Sequence, residues 1–123
     1  MNVLGVYKGE PFVTGSYNPE NKKTEIFDID SKKWNVAADF PFNSGKQISM
    51  YATTSTKESV FIIGGFTNVP SEGLRTSIIA EYTDNEWNNI GNLKQARQAH
   101  GAIKSGSLTM IIGGESIDGT PLV

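Results

Sequence analysis

"VFIIGGF", residues 60–66, drives an apolar, β-branched run straight into two glycines. Val60-Phe61-Ile62-Ile63 has the residue types of a strand buried on both faces. The glycine pair ends it at a point where the backbone must turn or pass close to a neighbour. The same event recurs as "TMIIGGE", residues 109–115. The pairs start at Gly64 and Gly113, 49 residues apart. The same step backwards lands on Gly15-Ser16, entered by Phe12-Val13-Thr14, so a weakened third copy stands in phase with the other two.

Other landmarks travel with each copy. Gly15 is followed by "TEIFDIDSKKW", with Glu25, Phe27 and Trp34; Gly64-Gly65 is followed by "IAEYTDNEW", with Glu81, Tyr82 and Trp87. Each reads as a strand carrying an aromatic, a polar turn, and a strand opening near Trp. Each unit therefore supplies four short strands with hairpin connections. The first strand is expected over 48–54 and 99–104, with a counterpart near 2–7. The second is expected over 11–15, 59–64 and 108–113, the third over 24–29 and 77–83, and the fourth over 33–37 and 86–90. No window of 11 or more residues has helical periodicity, and 92–100 is expected to hold one helical turn at most.

An apolar strand into Gly-Gly, a Glu before an aromatic, a Trp, and then "L…AR…HGA…IIGG" resembles the kelch repeat, whose period is about 50 residues. The resemblance runs over essentially the whole chain and is fullest from Phe61 to Gly114. It implies an all-β fold: a partial kelch-type β-propeller of about two and a half four-stranded antiparallel blades. Residues 1–123 form a single kelch-repeat region with units of about 1–47, 48–98 and 99–123, the last incomplete. Ser16 stands where the family expects a second glycine, Phe27 where it expects Tyr, and Trp34–Ser49 lacks the Arg and small residues of the later copy. Closed propellers take about 4–8 blades, so the expectation is a section of a longer propeller. A ring built from several copies and a self-sufficient short form are the alternatives.

Composition narrows the function. The 123 residues are 37% hydrophobic and 10% aromatic, enough for one packed domain, and 11 basic against 13 acidic residues leave a net charge of −2. There is no basic footprint for nucleic acid or a membrane surface. The absence of Cys excludes disulfides, thiolate metal sites and a Cys nucleophile. "MNVLGVYKGE" does not read as a signal peptide, and a cytoplasmic location is weakly favoured by these signs. His100, the sole histidine, cannot anchor an imidazole metal site alone. With no Gly-x-Ser-x-Gly elbow to pair with, it reads as a packed or hydrogen-bonded residue. "DIDS", residues 28–31, lacks the Gly and distal Glu of an EF-hand loop and reads as a turn. Gly64-Gly65 is followed by "FTNVPSEGLRTS" rather than by a phosphate-binding helix. No catalytic, cofactor or metal residue is assigned, and no cofactor is expected.

Because strands in such a unit alternate in direction, the loops from second to third strand and from fourth to first leave one end together. These are residues 16–23, 66–76, 115–120 and 38–47, 91–98. Recognition residues gather on such loops, and the candidates for partner binding are Arg97, Arg75, Asn68 and Phe66. Arg97 lies where some kelch proteins grip an acidic partner, since a guanidinium forks onto a carboxylate. The reading is a non-enzymatic module binding a protein or peptide. The alternative is part of a carbohydrate-active kelch-propeller enzyme, a sugar epimerase or oxidase type, with its site largely outside this chain. The copper-oxidase version needs a Cys and two His, which this chain lacks.

Overall fold

The computed structural model describes residues 3–15, 23–41, 49–67 and 75–123. Its ten strands are β1 (Val3–Tyr7), β2 (Glu10–Thr14), β3 (Thr24–Asp28), β4 (Lys33–Ala37), β5 (Ala52–Ser55), β6 (Val60–Ile63), β7 (Ile78–Thr83), β8 (Glu86–Asn92), β9 (Gly101–Ser105) and β10 (Leu108–Ile112). They make three antiparallel sheets in chain order, β1-β2-β3-β4, β5-β6-β7-β8 and β9-β10. The first strands lie side by side, β1 against β5 and β5 against β9.

The 49-residue step reappears as backbone register. Val3 faces Thr14, Ala52 faces Ile63 and Gly101 faces Ile112, each pair 49 residues further on. Lys8-Gly9 and Asp84-Asn85 both have positive φ at their two central positions, the geometry whose twist matches a tight hairpin. The third and fourth strands keep their landmark pair: Phe27 faces Trp34, and Tyr82 faces Trp87. Both pairs have ring centroids 5.2 Å apart. The Asp28 carboxylate accepts from the Asp30 and Ser31 amides at 2.9 and 3.0 Å, so "DIDS" closes its own turn.

The first strands start later than the sequence suggests, at Ala52 and Gly101 rather than near 48 and 99. Met50 and Ala99, again 49 apart, take φ of 54° and 51°. This left-handed kink breaks the strand and sends the preceding residue sideways. Ser49 then exchanges two backbone bonds with Phe66 (2.7 and 3.2 Å), and Gln98 does the same with Glu115 (3.0 and 3.2 Å). The lead-in segments of the second and third units are thereby bonded to the chain just past their glycine pairs.

That crossing explains the glycines. Gly65 has φ of 116°, and a Cβ there would sit 2.7 Å from the Tyr51 ring and 2.9 Å from the Ser49 carbonyl oxygen. At Gly114, φ 89°, the same methyl would lie 2.4 Å from the Gln98 carbonyl oxygen and 2.8 Å from the His100 Cβ. Tyr51 and His100 are again 49 residues apart. Gly64 is closed from the next unit, with His100 Cε1 at 2.7 Å and the Arg97 carbonyl oxygen at 2.8 Å from a Cβ position.

The buried core lies between the first and second sheets: Tyr7, Phe12, Phe40, Val60, Ile62, Ala80 and Tyr82, with Trp87 and Tyr51 packed on it. Tyr82 and Trp87 meet the ring of Phe12 at 5.1 and 6.0 Å, and Trp87 meets Phe40 edge-on at 4.8 Å. Each such ring pair adds about 0.5–1.5 kcal/mol to the area it buries. Polar tips find backbone across the same seam. Trp87 Nε1 donates to the Ala38 carbonyl (3.0 Å), the Asp84 amide donates to Tyr7 Oη (3.2 Å), and Thr53 Oγ1 donates to the Leu4 carbonyl (2.8 Å). The Lys8 ion pairs to Glu58 and Asp84, at 3.9 and 3.8 Å and exposed, add little.

Gly65→Ala is expected to cost about 3 kcal/mol or more, combining a disfavoured φ with an overlap against backbone. Gly9→Ala, at φ 81° with open space around its Cβ position, is expected to cost about 1 kcal/mol. Urea denaturation of the two variants checks the difference.

Candidate functional site

At the end of the sheets where the glycine pairs lie, both loop classes are laced together. Phe66 pairs with Ser49 on one side and Arg75 on the other, and Glu115 pairs with Gln98 and Pro121 in the same manner. Gly65 N donates to the Arg97 carbonyl (2.8 Å), and Ala99 N donates to the Met50 carbonyl (3.2 Å), stitching the second unit to the third. A run of backbone ribbon thus crosses two units, carrying the candidate side chains on it.

The candidates fall in different settings. Arg75 is mostly buried; its Nη1 donates to the Ile117 carbonyl (3.1 Å), and its Nη2 pairs with Glu115 Oε2 (3.4 Å). Arg97 is half-buried, and its Nη1 donates to the Gly113 carbonyl (3.0 Å). Both guanidiniums therefore hold the third unit in place, with Arg75 reaching it from the second. Phe66 is partly exposed between its two backbone partners. Asn68 lies outside the described residues. Arg75 and Arg97 come from different loops of the same end, and the third unit's loop links them.

The sequence places that linking loop, 115–120, at this end but marks no candidate residue in it. Glu115 Oε2 accepts from Arg75 and also from Gln98 Nε2 (3.1 Å). Beyond it, Ser116 Oγ and the Asp118 carboxylate are bonded, the Thr120 amide donates to the same carboxylate (3.0 Å), and the Ser116 amide donates to the Thr120 carbonyl (2.9 Å). These bonds hold the Asp118 carboxyl down at about 2, with the Ser116 hydroxyl as the leading cause. The Ser-x-Asp-Gly-Thr order around Asp118 was a readable turn signal. A shallow hollow of about 220 Å³ lies between Gln95-Ala96 and Ser116-Ile117-Asp118.

Several buried polar atoms at this end have no hydrogen-bond partner among the described residues: Thr67 Oγ1, Arg75 Nε, Arg97 Nε, Gln98 Oε1 and both ring nitrogens of His100. Of the two settings the sequence left open for it, His100 takes the packed one, against Gly64 and Gly114. Burial, and then the positive charge of Arg97, lowers its pKa below the ordinary value; the Ile63 and Gln98 backbone groups oppose this without forming a well-aligned bond. No protein-family profile matches the chain, and no curated protein does.

The depressed His100 value has a defined consequence. The folded state keeps the ring neutral where the unfolded chain protonates it, so the unfolded state takes up more protons below about pH 6.5. Stability is expected to be full above that pH and to fall as pH drops through the folded-state value. His100→Gln is expected to flatten the dependence between pH 7.5 and 5.5. Thermal unfolding of both chains at the two pH values checks this.

Proposed function

We propose that the chain is a non-enzymatic protein-interaction module of the kelch-repeat kind, part of a β-propeller, which binds a protein or peptide at its laced loop end. The observation that carries the reading is the repeated crossing of Ser49 with Phe66 and of Gln98 with Glu115. It bonds the loop entering each of the second and third units to the loop that follows that unit's second strand, and the Gly65-to-Arg97 and Ala99-to-Met50 bonds join the two units at the same end, where loops serve recognition. The 49-residue register and the alignment of β1, β5 and β9 support the propeller part of the proposal.

On this reading Phe66 supplies apolar contact area. Arg97, whose Nη1 is held by Gly113, offers its Nη2 to a carboxylate, and Arg75 steadies the neighbouring loop through Glu115. The hollow beside Asp118 adds a concave rim to the same surface. Asn68 remains assigned to the surface from its place in the sequence, between Phe66 and Arg75.

Peptides selected from an unbiased displayed library on the purified chain test the proposal, with their footprint read by amide exchange. Protection is expected at Gly65–Thr67, Arg75–Ser77 and Ala96–Gln98. Arg97→Ala, shown by its melting curve to be folded, is expected to weaken binding about tenfold. Turnover of a sugar by the purified chain, or binders that protect only the strands, would overturn it.

A further inference from the structure

The segment Arg97–His100 fastens the third unit to the second. Gly65 N donates to the Arg97 carbonyl, and Ala99 N donates to the Met50 carbonyl. The next residue, His100, fills the join with its side chain and is only 9% exposed. Its Cε1 lies 2.7 Å from where a Cβ of Gly64 would stand, and its own Cβ lies 2.8 Å from the corresponding point at Gly114. Two glycine pairs, one from each unit, therefore close on a single imidazole.

That seat accepts the neutral ring and opposes the charged one. An imidazolium has two N–H donors to satisfy, and neither ring nitrogen has a hydrogen-bond partner among the described residues. Burying an unpaired charge costs far more than burying the neutral ring. The surrounding charges do not compensate. Arg97, on the same segment, repels a positive ring. The strands β5, β6 and β10 bring no ionisable side chain to it. Glu115, just past Gly114, is taken by Arg75 Nη2 and Gln98 Nε2, and Lys104 of β9 lies over the Phe61 ring.

The counterpart position in the second unit is Tyr51, packed against Gly65. A phenol keeps its proton where an imidazole titrates, so of these two seats only that of His100 changes charge near neutral pH. No residue after Trp87 belongs to the core cluster or packs against it. Release of 97–100 therefore leaves that core closed.

We propose that His100 is a proton-operated latch: charging its ring releases residues 97–100 from the glycine pair of the second unit and unlaces the loop end while the sheets stay folded. The ring takes its proton once it is freed, so acid traps the released form. The latch is shut above the ordinary imidazole value of about 6.5 and opens progressively below it, and the released population rises by up to about tenfold between pH 7.5 and 5.5. The latch concerns how the loops are fastened and holds whether or not they bind a peptide.

Amide exchange of the full chain at pH 7.5 and 5.5, corrected for the intrinsic rate at each pH, tests the proposal. Protection at Gly65 and Ala99 is expected to fall by up to about tenfold relative to Phe61 and Ile62 in β6. His100→Gln is expected to abolish that difference. A second measurement needs no variant: the sole histidine gives one ring signal by NMR, expected to remain that of the neutral imidazole at about pH 6.5 in the folded chain. Four results would overturn the latch. These are constant protection at Gly65 and Ala99 across the range, an equal loss at Phe61 and Ile62, an undiminished loss in folded His100→Gln, and a ring that titrates at its ordinary value while the chain stays laced.

Discussion

Two backbones pass closer here than any side chain allows, and the rest of the arrangement follows from that contact. The lead-in to the second and third units runs under the end of the unit's second strand, with the Ser49 and Gln98 carbonyls too close to leave room for a Cβ at Gly65 or Gly114. Glycine at these points removes the obstruction and accepts the positive φ that the turn requires. In return the crossing gains a pair of backbone bonds, to Phe66 or to Glu115. Those bonds satisfy groups that would otherwise be buried without partners, a loss of about 1–3 kcal/mol each. One constraint thus fixes the strand end, the start of the next first strand, and the relation between loops that are distant in sequence.

Packing then makes the units cohere. The first and second sheets meet through a cluster of rings from β1, β2, β7 and β8, with Trp87 packed against it and anchored to Ala38 by its indole nitrogen. The seam to the third sheet is thinner. It rests on Gly65 N to Arg97, on Ala99 N to Met50, on Arg75 to the Glu115 loop, and on Lys104 over the Phe61 ring at 5.6 Å. Among the described residues the third sheet has two strands where the second has four. The outer faces of the first and third sheets, with Leu4, Val36, Ile103 and Ile112 exposed, carry the same kind of side chain that the inner seam buries.

The amino-acid sequence made the repeat legible because its signal is steric. Gly-Gly, the aromatic at Phe27 or Tyr82, and the following Trp are dictated by close approach and by cross-strand pairing, and both leave residue-type marks. The left-handed kinks at Met50 and Ala99 left none, since neither residue type favours that region, and so the first strands were read too long. Arg75 and Arg97 were legible as loop arginines. Their engagement with the carbonyls of Ile117 and Gly113 was not, because carbonyl acceptors have no side-chain signature. Glu115 went unnoticed for a related reason: its importance comes from two partners, Arg75 and Gln98, that only the fold brings to it.

Amide hydrogen exchange on the intact chain tests the central contact most directly. The backbone crossing makes Gly65, Phe66, Ser49, Gln98 and Glu115 hydrogen-bond donors inside the fold, although four of the five lie outside any strand hairpin by sequence pattern. The account predicts protection at these amides approaching that of Phe61 and Ile62 in β6, with Gly65 and Glu115 exchanging as part of one cooperative unit. Exchange of those amides at the rate of an open loop, while β6 stays protected, would contradict it.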